Sequence, residues 1–295
     1  MFRAIFIALI LAFFAFPRGV FAATVEPPIV EIQLAPGMVK DGNIHVTDDA
    51  SGVSYTAEIQ KFSADGEDGR QAFFPVSDIS DPVGWIHVQK SDSAQNVYSY
   101  HVTVPSSARA GGYMAAVFFS PVGIDQAGPA VRARVGVLFL IHVTGKLVHD
   151  VRLFSCDAVT THKDSLFGAT LFSSFPTQFV TRIQNAGDDI VSVSGTIAVT
   201  DLFGRNIRTF DVNDLGGRAL PHSFRQYVTN WPWNVQPFAF GRYVVSCRVI
   251  SATGDEPQLQ EFSFWVLPWK VVVAFSAIAL FVILLITRYT YRRRV

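Results

Sequence analysis

Near its C-terminus the chain carries Val271 to Thr287, an uncharged apolar run, followed by Arg288-Tyr-Thr-Tyr-Arg-Arg-Arg-Val295. No other feature limits the fold so strongly. Val266 to Pro268 lengthen the run toward the roughly 20 residues that span a bilayer. Trp265 and Trp269 stand at its outer edge, where interfacial aromatics sit, and Lys270 can snorkel from there. Arg288, Arg292, Arg293 and Arg294 form a basic cluster that stays inside under the positive-inside rule. The pattern predicts a transmembrane helix over 266–287 and a cytoplasmic tail over 288–295. It places residues 23–265 outside a plasma membrane that is crossed once. A lipid-anchor signal would end in the apolar tail, without such a cluster.

The opposite end reads as a secretory signal over 1–22. Arg3 is followed by an apolar stretch from Ala4 to Phe16, a break at Pro17-Arg18-Gly19, and small residues at Val20 and Ala22. These two segments explain a mean hydropathy of +0.30. They also explain a formal charge of zero from 24 basic and 24 acidic residues. Seven of the basic residues lie in the end segments, so the exterior keeps 17 against 24 acidic ones. An acidic exterior argues against nucleic acid as a partner. A 49% hydrophobic content excludes a disordered chain.

Between the ends the sequence is a succession of short segments rich in Val, Ile, Phe, Tyr and Thr, divided by Gly, Pro, Asp and Ser. Ile29–Leu34 and Asn96–Val104 alternate with period two. Val53–Phe62, Gly112–Phe119 and Val131–Val143 are longer apolar runs, and Trp85–Val88 is a short one. After a junction at 145–150, seven further segments follow, from Val151–Cys156 to Gln260–Val266. No stretch before the anchor has a 3.6-residue period. The expected fold is therefore all-β. It consists of two consecutive immunoglobulin-like β-sandwich domains, 23–147 and 148–265, ahead of one helix.

Few residues suggest chemistry. No nucleophile, phosphate-loop, dinucleotide or zinc motif is present, so no enzyme and no cofactor are expected. The seven histidines show no metal-ligand spacing. Asp65, Glu67 and Asp68 sit in a Gly-bounded turn that lacks an EF-hand pattern and reads as a solvated hairpin tip. Cys156 and Cys247 are either a disulfide of an oxidising compartment or two buried thiols. Trp231 and Trp233, in a Pro-rich connection, either touch sugar or protein or fold back over the domain base. Arg132 and Arg134 share one face of a predicted strand. They form either a basic patch for an anionic wall polymer or an ordinary solvated face.

Several stretches resemble the WxL-interacting proteins of bacterial surfaces and their wider relatives. In the first domain these are Val30-Glu-Ile-Gln-Leu-Ala-Pro-Gly37, Val104-Pro105 with Ala110-Gly-Gly-Tyr113, Ala115-Ala-Val-Phe-Phe119 and Val131-Arg-Ala-Arg-Val-Gly136. In the second they are Asn185-Ala-Gly187, Asp201-Leu-Phe-Gly204, Phe240-Gly-Arg-Tyr243 and Phe264-Trp-Val-Leu-Pro-Trp269. The resemblance implies a first domain that binds peptidoglycan and a second that contacts other surface proteins. The chain departs from the family in having no long loops. The function expected on this basis is a non-enzymatic, membrane-anchored surface scaffold. The alternative is a membrane-tethered assembly chaperone of pilus type, using an exposed strand edge.

Overall fold

The structure is a computed structural model. It describes residues 23–48, 53–75, 82–91, 96–122, 134–160, 171–232, 240–252, 254 and 256–292. The signal segment, Arg132, Trp233, Arg293 and Arg294 lie outside these residues. The chain is mostly strand, forms two compact β-sandwich-like units, and ends in one apolar helix.

The first unit holds most of the described residues up to Thr144. Its strands are β1 (Ala23–Glu26), β2 (Ile29–Leu34), β3 (Val39–Asp48), β4 (Ser54–Asp65), β5 (Arg70–Phe74), β6 (Ile86–Lys90), β7 (Val97–Thr103), β8 (Gly111–Val122) and β9 (Val135–Val143). One sheet runs β1-β3-β7-β6 and the other β2-β9-β8-β4-β5. Pro27 and Pro28 break the ladder after β1, so the chain changes sheets there. β2 then pairs in parallel with β9.

Period-two alternation decides what goes inside. Along β7, Tyr98, Tyr100 and Val102 are buried while Ser99, His101 and Thr103 are exposed. These inward residues meet Phe119, Phe139 and Ile141 from the other sheet, each fully buried. Burying one such side chain stabilises by about 1.5–3 kcal/mol. The hydroxyl of Tyr98 is satisfied by the carbonyl of Tyr55 at 2.9 Å. Trp85, expected to open a strand, sits instead in a 3₁₀ turn (Pro82–Trp85), packed on Tyr113 with ring centroids 4.5 Å apart. Pro82, which has no N–H and a fixed φ, suits the first position of a turn better than a ladder.

The second unit runs from Gly145 onward and also contains Ser63–Ala72 and Ala110–Gly112. Its strands are β10 (Val151–Val159), β11 (Leu171–Phe172), β12 (Gln178–Asn185), β13 (Val191–Thr200), β14 (Asn206–Val212), β15 (Arg218–Ala219), β16 (Ser223–Asn230), β17 (Gly241–Ser251) and β18 (Gln258–Val266). β10-β12-β16 form a small sheet and β11-β18-β17-β13-β14 a larger one, with β15 on β13. A disulfide joins Cys156 on β10 to Cys247 on β17, Cα–Cα 6.5 Å, and so ties the two sheets through the core.

Helix α1 (Trp269–Arg292) is the one described helix long and apolar enough to cross a membrane, over Val272–Tyr289. Its 24 residues span about 36 Å against a hydrocarbon core of about 30 Å. Two boundaries differ from the sequence reading. Val266 closes β18 and does not join the helix, because Pro268 sets the start and its carbonyl accepts the first helical N–H, from Val272 at 3.1 Å. Arg288 and Arg292 continue the helix, since no Gly or Pro intervenes to stop it.

Candidate functional site

The outer face of the first unit's β1-β3-β7-β6 sheet collects polar side chains into rows. Register places Asp41 opposite His101, and His101 opposite His87, so the three cross β3, β7 and β6 in one line. The next row is Asn43, Ser99 and Gln89. All six are exposed. The Asp41 carboxylate pairs with Nδ1 of His101. Between the rows lies an open depression of about 650 Å³.

Gly42 forms part of its floor. A side chain there would collide with the Tyr100 phenol, which passes beneath from β7. Burial, with a smaller contribution from the Asp41 charge, pushes the Tyr100 hydroxyl above the usual phenol range, so it stays neutral. No group of three or more His, Cys, Asp or Glu among the described residues is placed to hold a metal. What the face offers is hydrogen bonding, with one carboxylate–imidazole pair.

One wall of the depression is β6, the end strand of its sheet. The Ser91 amide donates to the Val97 carbonyl at 2.8 Å, which fixes the ladder's phase. His87 and Gln89 therefore turn their backbone groups toward β7, while Ile86, Val88 and Lys90 turn theirs outward. Among the described residues the outward groups of Val88 and Lys90 meet no backbone partner from another strand or loop, whereas the Ile86 N–H closes the preceding 3₁₀ turn.

Two end strands of the second unit are treated differently. On β10, the Gln258 carboxamide accepts from the Leu153 N–H and donates to the Val151 carbonyl, both at 2.5 Å. It imitates a neighbouring peptide group. On β16, the Gln226 N–H donates to the Glu67 carbonyl at 2.7 Å. Such caps blunt edges that would otherwise pair with another chain.

The residues singled out from the sequence fall in several places. Trp231 is only 6% exposed and packs among Phe175, Phe179 and Phe210, so as a contact residue it is corrected to a core residue. Its burial follows from the large apolar area an indole removes from water. Arg134 precedes β9 rather than lying on it, and its guanidinium covers the Phe118 ring at 4.0 Å.

The turn read as a solvated tip is one at Asp65 and Asp68, which are exposed, but not at Glu67. Glu67 binds Arg182 through both carboxylate oxygens, at 2.5 and 2.7 Å. Arg182 in turn lies over the Phe154 and Phe224 rings. This partner holds the Glu67 carboxyl below its ordinary range, hydrogen bonding being the main cause. Trp269 is the first residue of α1 and is half-exposed; Lys270, Arg288 and Arg292 lie within that helix.

The sequence reading missed the Asp41–His101–His87 row. Its members are 60 and 14 residues apart, and only the strand register brings them together.

No family model and no curated protein matches this chain. Among solved structures, the class 5 fimbriae chaperone CfaA is similar at a TM-score of 0.42 and 10% identity, covering 81% of this chain and 98% of its own. The Escherichia coli chaperone DraB follows at 0.35 and 10%, covering 84% and 98%. The Pseudomonas aeruginosa chaperone CupB2 gives 0.31 and 13%, covering 82% and 100%. Likeness at these scores carries no argument about fold or function.

Proposed function

We propose that this chain is a non-enzymatic, membrane-tethered binding protein for exported proteins. In this reading it has two immunoglobulin-like sandwiches and captures an extended partner segment by strand addition along β6. The supporting observation is the contrast between strand edges. β10 and β16 are each capped by a group from elsewhere in the second unit. The outward peptide groups of Val88 and Lys90 have no such cap among the described residues.

A strand added there gains main-chain hydrogen bonds, and its alternate side chains fall beside His87, Gln89 and the polar depression. Affinity then comes from the edge and selectivity from the rows. The reading belongs to the class of assembly chaperones, as do the similar solved structures, but it rests on the edge. Peptidoglycan, expected from the resemblance to WxL-interacting proteins, is the competing ligand.

Val88→Pro is the test. It removes an outward N–H without touching the bonds to β7. Full-length protein in membranes should co-purify with exported proteins, and Val88→Pro should lose them while the protein stays folded by circular dichroism, whereas Val88→Ala, which loses the same core packing but keeps the N–H, should retain them. If Val88→Pro keeps the same partners, or if the wild-type protein sediments with purified peptidoglycan and carries no protein, the strand-capture reading fails.

A further inference from the structure

The β13–β14 turn presents two large apolar side chains to solvent, Leu202 at 62% and Phe203 at 79% exposure. The turn is locked in this posture. The Asp201 carboxylate accepts from the Phe203 and Arg205 amides, both at 2.9 Å, and pairs with the Arg205 side chain at 2.6–2.7 Å. Gly204 supplies a positive φ of 75° that closes the turn. The tip's carboxylate is thus paired with its own arginine, whose guanidinium also lies 5.4 Å from the Phe203 ring centre.

Register shows which end of the sheet this tip occupies. Thr200 lies opposite Val244, and Gly241 lies opposite Val266. Residues 201–204 therefore project past the same end of the sheet from which β18 leaves toward α1. Two strand spacings, about 10 Å, separate β13 from β18. Exposed Phe240 and Trp265 stand at this end too, with exposed Arg242 opposite Trp265. Leu267 and Pro268 alone separate β18 from α1.

From this clustering we infer that the Leu202–Phe203 tip is a membrane-contact site. It inserts into the interfacial layer of the bilayer beside the point where α1 enters. Phe240 and Trp265 extend the apolar contact and Arg242 faces the lipid phosphates. The sandwich is then held at a second point besides its covalent anchor. The inference rests on α1 being a membrane anchor, and the experiment separates the two.

Both cysteines are bridged, so a single introduced cysteine can be spin-labelled in the full-length protein. The three positions are Phe203→Cys, Leu280→Cys in mid-helix, and Leu215→Cys. Leu215 is 94% exposed on a turn after β14, at the opposite end of the sheet, and is the apolar control. The protein is reconstituted in vesicles of phosphatidylethanolamine and phosphatidylglycerol. Collision with oxygen and with a water-soluble nickel chelate is then measured.

The expected result is nickel accessibility at 280 and at 203 several-fold below that at 215. Shielding at 280 with full nickel access at 203 overturns the tip contact and leaves the anchor standing. Full access at 280 overturns the anchor, and the tip contact with it. Leu202→Cys repeats the measurement one position away, which guards against a local effect of replacing Phe203.

Discussion

Asn185 is fully buried on the last position of β12, and its side chain is completely used. Its amide nitrogen donates to the carbonyls of Asp189, Ala219 and Leu220, at 2.8, 3.0 and 3.1 Å. Its oxygen accepts from Gly187 N–H at 3.1 Å. Asn185→Ala would strand several buried backbone groups at once, each costing about 1–3 kcal/mol, although relaxation and water offset part of that. We expect a loss of about 2–4 kcal/mol, read by denaturant unfolding of the full-length protein in detergent.

Glu67 gives a smaller effect with a definite pH sense. Its carboxyl is lowered by Arg182, so its contribution is present above the ordinary carboxylate range. That contribution disappears as the pH falls through the lowered value. Glu67→Gln should cost about 1 kcal/mol at neutral pH and make the acid limb of a stability profile shallower. An acid limb identical to wild type would show that the pair is energetically idle.

At the scale of strands and turns, the sequence was most legible where alternation and apolar runs were strong. Tyr98, Tyr100 and Val102 identify β7 and its buried face without any structure, and Pro268 places the helix start once the chain is known to end a strand there. Side chains that act across register were not legible. Gln258 looks like an ordinary polar residue beginning a strand, yet it closes the β10 edge more than 100 residues away in sequence. Glu67 looks like turn chemistry, because nothing local points to Arg182. Trp231 was open to two readings: its Pro-rich surroundings suggested a surface contact and its large ring a place in the core, and the core took the ring.

Removing the β10 cap tests the edge argument in reverse. Gln258→Leu should leave the Leu153 N–H and Val151 carbonyl open and favour edge-to-edge association of two copies. Light scattering on detergent-solubilised protein should show concentration-dependent dimers absent from the wild type.

For the second unit as a whole, the Cys156–Cys247 bridge closes a separation of 91 residues. A loop of that length is worth up to about 4–5 kcal/mol in the chain-entropy model. The double change Cys156→Ala and Cys247→Ala should destabilise this unit by a large part of that figure. Reductant should then have no further effect on the variant, whereas it should lower the melting temperature of the wild type.

The joint between β18 and α1 is two residues long. Leu267 and Pro268 can reach only about 7 Å when fully extended. If α1 is seated in a bilayer and β6 captures partners as proposed, such a short leash turns partner search into a lateral, two-dimensional process. A segment still emerging from the same membrane is then met at a far higher local concentration than one released into the bulk, without any added contact. Lengthening the joint would lower that advantage while leaving every strand, cap and side-chain row unchanged.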